Sequence, residues 1–168
     1  EAEKSPESPG WPTWLVPLSF GMAGVSSMGF QIAWTRGLAP SLGSSTYAFT
    51  TILTTFLAGL GLGSLLYPKL LGKRRPTLTS LAWLQASIGL AGAVSIPLLG
   101  VLPLLFLYVM RRFDLFYSGL YTVLAVDVGL SALLLLLPTL LMGLAFPLAN
   151  QLYTQSLSGL GKSVGEIY

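Results

Sequence analysis

Four stretches of this chain are each long enough to cross a bilayer and hold almost no charge: Leu15–Trp34, Tyr47–Tyr67, Leu78–Gly100 and Gly119–Pro147. A helix needs about 20 mostly apolar residues to traverse a hydrocarbon core of about 30 Å. The first three stretches contain no Asp, Glu, Lys or Arg, and the fourth contains one, Asp127. Water is absent from the core of a bilayer, so each backbone amide must be satisfied within its own segment, which selects helices. The expected fold is all-α, an integral membrane bundle of four transmembrane helices. Composition agrees: charged residues make up 9% of the 168, where a soluble domain carries about 25%. Trp11, Pro12 and Trp14 ahead of the first span suit an interfacial aromatic belt.

Between the third and fourth spans, residues 101–118 read as an interfacial or re-entrant helix, because the apolar part is too short to span and Pro97, Gly100 and Pro103 interrupt the approach. The alternative is a kinked extension of the third helix. The opening "EAEKSPESPG", residues 1–10, is acidic and rich in Pro and Ser and reads as a disordered leader. It lacks the positive n-region of a signal peptide. Residues 11–168 then form a single transmembrane domain.

Orientation follows from the basic residues, which concentrate on the cytoplasmic side of membrane proteins. The loop "PKLLGKRRP" holds Lys69, Lys73, Arg74 and Arg75, the densest cluster in the chain. Placed in the cytoplasm, it takes Lys4 and Lys162 with it and leaves Arg36, Arg111 and Arg112 outside, a split of six to three. Both termini are then cytoplasmic.

Lipid gives no hydrophobic drive between helices, so bundles are held by close approach along small side chains. Thr51, Thr55, Gly59 and Gly63 form an i, i+4 stripe on the second span; Gln85, Gly89 and Ala93 do so on the third, and Gly21, Val25 and Gly29 on the first. Such stripes either pack within the bundle or dock another chain.

Cys and His are both absent. The chain alone therefore builds no disulfide, Cys/His metal site or His general base. Four of the six carboxylates, Glu1, Glu3, Glu7 and Glu166, lie at the polar ends, so hydrolytic chemistry is not expected. No cofactor is expected, while a bound lipid is left open. The pI of about 9.3 comes without a basic patch interleaved with aromatics, so nucleic acid is not an expected partner. The expected partners are the lipid bilayer and other membrane protein chains.

One arginine and one acid stand out. Arg36 closes the first span, and Asp127 lies about two turns inside the fourth, on the same side of the membrane. A carboxylate at that depth is costly unless paired, protonated or facing a cavity. A structural ion pair between Arg36 and Asp127 is the expected answer, with Arg111 and Arg112 as rivals. A snorkelling Arg36 and a protonated or water-exposed Asp127 are the alternatives. One acid in four helices is thin for a proton relay.

The residues "WTRGLAPSLGSSTYAFTTILTTFLAGLGLGS", 34–64, resemble the opening of the membrane domain in bacterial spermidine-synthase-like membrane proteins. "LLLLPTLLMGLAFPLANQL", 134–152, and "GKSVGEIY", 161–168, are similar to the same family. Arg36, Ser44, Ser45 and Tyr47 match its pattern. The resemblance implies a membrane module in the bacterial inner membrane. Members often add a soluble aminopropyltransferase-like domain that would bind decarboxylated S-adenosylmethionine and a polyamine, and this chain contains no such domain. In the family, "VGEIY" opens a further helix, so the ending implies a piece of a longer product.

A weaker likeness is to major-facilitator transporters. "KLLGKRRP" keeps Gly72, Lys73, Arg74 and Arg75 of their loop between helices two and three, but Lys69 stands where the acid belongs. Three functions are therefore carried forward. The first is a non-catalytic multi-pass module that anchors or scaffolds a larger assembly or partner domain. The second is the membrane part of an aminopropyltransferase-like enzyme, and the third a small oligomeric transporter.

Overall fold

The computed structural model describes Pro12, residues 14–40, Leu42, 45–72, 75–117 and 119–167, with Ser45, Phe116 and 156–167 described by backbone alone. Four long helices account for nearly all of it: α1 (Leu15–Leu38), α2 (Ser45–Leu70), α3 (Leu78–Arg112) and α4 (Leu120–Ile167). All four are long and apolar enough to cross a membrane. The leader, residues 1–10, lies outside the described residues.

The third helix corrects one expectation. Residues 101–112 are not a separate interfacial helix but the final third of α3, which runs unbroken for 35 residues through Pro97, Gly100 and Pro103. At 1.5 Å per residue it is about 52 Å long. Proline is tolerated inside such helices because neighbouring groups can take up the carbonyl it strands. A worked case lies in α4. Pro147 has no N–H, which leaves the Gly143 carbonyl without its helical donor. Ser64 of α2 supplies one, its hydroxyl donating to Gly143 O at 3.0 Å.

The ends of α3 are defined by local chemistry. Thr77 caps its start, with Oγ1 accepting from the Ser80 N–H at 3.1 Å. After Arg112 the chain turns through Asp114 (φ 52°) and Gly119 (φ 88°). Both adopt the left-handed region that short polar residues and glycine enter most easily. A single 3-10 turn, Leu115–Tyr117, lies between them.

The helices alternate in direction. α2 and α4 run the same way, with Gly59 against Thr139 and Gly63 against Gly143. Tyr67 OH donates to Gln151 Oε1 at 2.7 Å on the same seam. α1 and α3 also run the same way. The Phe30 ring fills the space above Gly92, and Trp34 Nε1 donates to Ser95 Oγ at 2.8 Å. Two apolar clusters fill the interior. One centres on Trp34, Leu38, Ile52, Leu99 and Leu135. The other, toward the basic loop, centres on Val16, Tyr67, Leu81 and Leu148.

Exposed aromatics collect at the two ends of the bundle. Trp14, Trp83 and Tyr153 are exposed toward the basic-loop end, and Tyr47, Tyr108, Tyr117 and Tyr121 toward the other. Between them the exposed large side chains are mostly Leu, Val, Ile and Met. This is the arrangement of interfacial rings around a lipid-facing band.

Candidate functional site

The second-span stripe is an interior seam. Thr51, Thr55, Gly59 and Gly63 are all buried on one face of α2, and Tyr67 extends the row by another turn. A Cβ on Gly59 would run into the Thr139 hydroxyl, and one on Gly63 would lie 2.8 Å from Gly143 Cα. The two backbones meet there with no side chain between them. α4 answers with its own i, i+4 row, Asp127, Ser131, Leu135, Thr139 and Gly143, every member buried. That row was readable in the sequence as spacing, but the leucines around it hid its periodicity.

The first-span stripe faces outward, and the third-span stripe is split, with Gln85 half-buried against the hollow between the helices and the other two members turned away. Gly21, Val25 and Gly29 are exposed, and a Cβ on Gly21, Gly24 or Gly29 would meet nothing within 4 Å. On α3, Gly89 and Ala93 are exposed as well. The buried face of α3 is instead Ile88, Gly92, Ser95, Leu99 and Leu102. The reason is geometric: α3 meets its neighbours along residues spaced alternately three and four apart, so the small residues one step round the helix turn away. Lys69 and Arg75 are exposed at the end of α2 and in the loop after it. Lys73 and Arg74 lie outside the described residues.

The expected pair is not formed. Arg36 is exposed in the last turn of α1. Asp127 is 5% exposed, and its Oδ1 is buried with no hydrogen-bond partner among the described residues. Arg111 and Arg112 do not answer it either: both are exposed, and the Arg112 guanidinium sits 6.0 Å from the centre of the Phe113 ring. Sequence spacing put Arg36 and Asp127 at the same end of the bundle but could not give the direction each side chain takes around its helix.

What Asp127 faces is a cavity of about 280 Å³, lined with Pro40, Pro103, Phe106 and Leu107. One turn deeper on α4, Ser131 is fully buried, and its hydroxyl too has no partner. Tyr121 lies six residues before Asp127, about 9 Å along the helix, so the acid sits just inside the aromatic ring at this end. An unpartnered carboxylate oxygen facing an apolar chamber, with an unpartnered hydroxyl one turn deeper on the same helix, is the most polar unsatisfied point of the described residues. Sequence reading found Asp127 and missed Ser131 and Phe106.

Two other hollows are poorer candidates. One of about 200 Å³ lies among all four helices, walled by Phe20, Phe56 and Phe146, with the unpartnered Gln85 Nε2 as its polar feature. The other, about 420 Å³ between α3 and α4, is lined almost wholly by aliphatic side chains. Its one hydroxyl, Ser95, is already engaged by Trp34. Among the described residues no three acids, histidines or cysteines gather to hold a metal ion. The chain matches no protein-family model, no curated protein and no solved structure.

Proposed function

We propose that this chain is a non-catalytic multi-pass membrane module that packs against and anchors a larger membrane assembly or a partner domain. Its proposed setting is the bacterial inner membrane, with the basic loop and both termini on the cytoplasmic side. The observation that carries this reading is the open small-residue face of α1. That helix buries only Val16, Trp34 and Leu38, near its two ends. Its middle leaves Gly21, Val25 and Gly29 exposed on one face, and a Cβ on either glycine would meet nothing within 4 Å. A face of this kind allows a second helix to approach backbone to backbone, the chief way helices associate in lipid.

The resemblance of residues 34–64 to spermidine-synthase-like membrane proteins supports one specific form of this reading. In it, the partner is an aminopropyltransferase-like domain for which the bundle serves as the membrane anchor.

The test is native electrophoresis of mildly solubilised membranes. The wild-type chain is expected in a complex well above its own 17.9 kDa. Gly21→Leu and Gly29→Leu should release it as a free chain whose helicity and Tm are unchanged, since both positions face open space. A wild-type chain that migrates alone overturns the reading.

A further inference from the structure

We propose that the Asp127 cavity is a binding site for the headgroup of a zwitterionic phospholipid bearing a primary ammonium, of the phosphatidylethanolamine type. The cavity holds a nearly buried carboxylate with an unpartnered oxygen, and its other walls, Pro40, Pro103, Phe106 and Leu107, are apolar. An oxygen in that state requires an N–H or O–H donor. A hard metal cation is a poor occupant, because it demands several oxygen ligands where the described walls of this chamber offer one acid. A primary ammonium donates directly to the carboxylate, and the Phe106 ring and aliphatic walls accept the carbon atoms beside it. A quaternary ammonium has no proton to donate, and an anionic headgroup would be repelled.

The rest of the headgroup also finds a complement. Arg111 lies one helical turn beyond Leu107 on the same face of α3. It is exposed in the last turn of that helix, where a guanidinium suits a phosphate. The carboxylate inside and Arg111 beyond it thus follow the order of charges in an ethanolamine phosphate. The position just inside the aromatic ring is the depth at which a headgroup meets the acyl region.

The experiment uses the whole purified chain, stripped of lipid in detergent and returned to nanodiscs of phosphatidylcholine doped with phosphatidylethanolamine or phosphatidylglycerol. Native mass spectrometry counts the lipids retained. The wild-type chain should retain phosphatidylethanolamine with at least ~tenfold preference over either other lipid, as loss of a charge-assisted hydrogen bond implies. Asp127→Asn should abolish the preference. Arg111→Gln should weaken retention while keeping the preference for ammonium over choline. Equal retention of the three lipids by the wild-type chain, which requires no variant to fold, overturns the proposal. So does an undiminished preference in Asp127→Asn. Free ethanolamine displacing the lipid at equal concentration would assign the cavity to a soluble amine and overturn it as well.

Discussion

Trp34 and Ser95 are joined across α1 and α3 by a 2.8 Å hydrogen bond from the indole Nε1 to the hydroxyl, deep in the bundle. Ser95 then donates onward to Gly92 O at 2.6 Å, so the small hydroxyl both receives the indole proton and fixes its own orientation. Phe30 stacks on Trp34 with ring centres 5.8 Å apart. Because α1 has few other buried residues, this bond is its main polar tie to the bundle. Ser95→Ala leaves the indole N–H unsatisfied and should cost about 1 kcal/mol, within the range found for bonds inside membrane bundles. Thermal unfolding in detergent measures it. The same substitution in a Trp34→Phe background should cost clearly less; equal costs in both backgrounds would remove the bond from the account.

Ser64 and Pro147 give a second cycle. Ser64→Ala should destabilise by about 1 kcal/mol, since it strands the carbonyl that Pro147 has already deprived of a donor. Pro147→Ala restores a backbone N–H to Gly143 O, so the double variant should recover most of the loss. A double variant no better than Ser64→Ala contradicts the assignment.

Glycines on the two sides of the bundle should behave in opposite ways. Gly63→Ala sets a methyl group 2.8 Å from Gly143 Cα, an overpacking that costs about 1–3 kcal/mol. Gly59→Leu and Gly63→Leu should prevent folding altogether. Gly89→Leu, placed on a face with nothing within 4 Å, should leave Tm in detergent unchanged. Similar losses at Gly63 and Gly89 would mean that the seam does not hold the bundle.

Orientation is open to a direct measurement, because the chain has no native cysteine. Lys73→Cys should react with an impermeant thiol reagent only after the cytoplasmic side is opened, following the basic cluster around it. Labelling of intact cells from outside reverses the topology.

Arg36 and Asp127 make no direct contact, so their substitutions should be independent when phospholipid is removed. In lipid-free detergent, Arg36→Gln and Asp127→Asn should add within about 0.5 kcal/mol. Asp127→Asn alone should be neutral or slightly stabilising, because it removes a buried charge that lacks a partner. A coupling well above that margin would restore the direct pair.

The apolar runs made the four helices legible, since length and lack of charge decide a span almost alone. The α2 stripe was legible too, because small residues spaced four apart over three turns leave little else for that face to do. The same rule failed on α1 and α3. Gly21, Val25 and Gly29 obey the spacing and face away, because spacing defines a face but does not say which way the bundle turns it. The length of α3 was obscured by Pro97 and Pro103, which end helices in water far more often than in a bundle of this kind. Asp127 was legible as costly, and its surroundings were not: Pro40 and Phe106 come to it from parts of the chain separated by an entire helix.

The matched rows on α2 and α4 act as a vernier. Displacing α4 by one turn would bring Leu135 or Gly143 to Gly59, replacing a fitted Thr139 with either a clash or a void. At the far end it would separate Tyr67 from Gln151. Sliding along this seam is therefore closed to the molecule. Any working movement must leave the α2–α4 pair in its register.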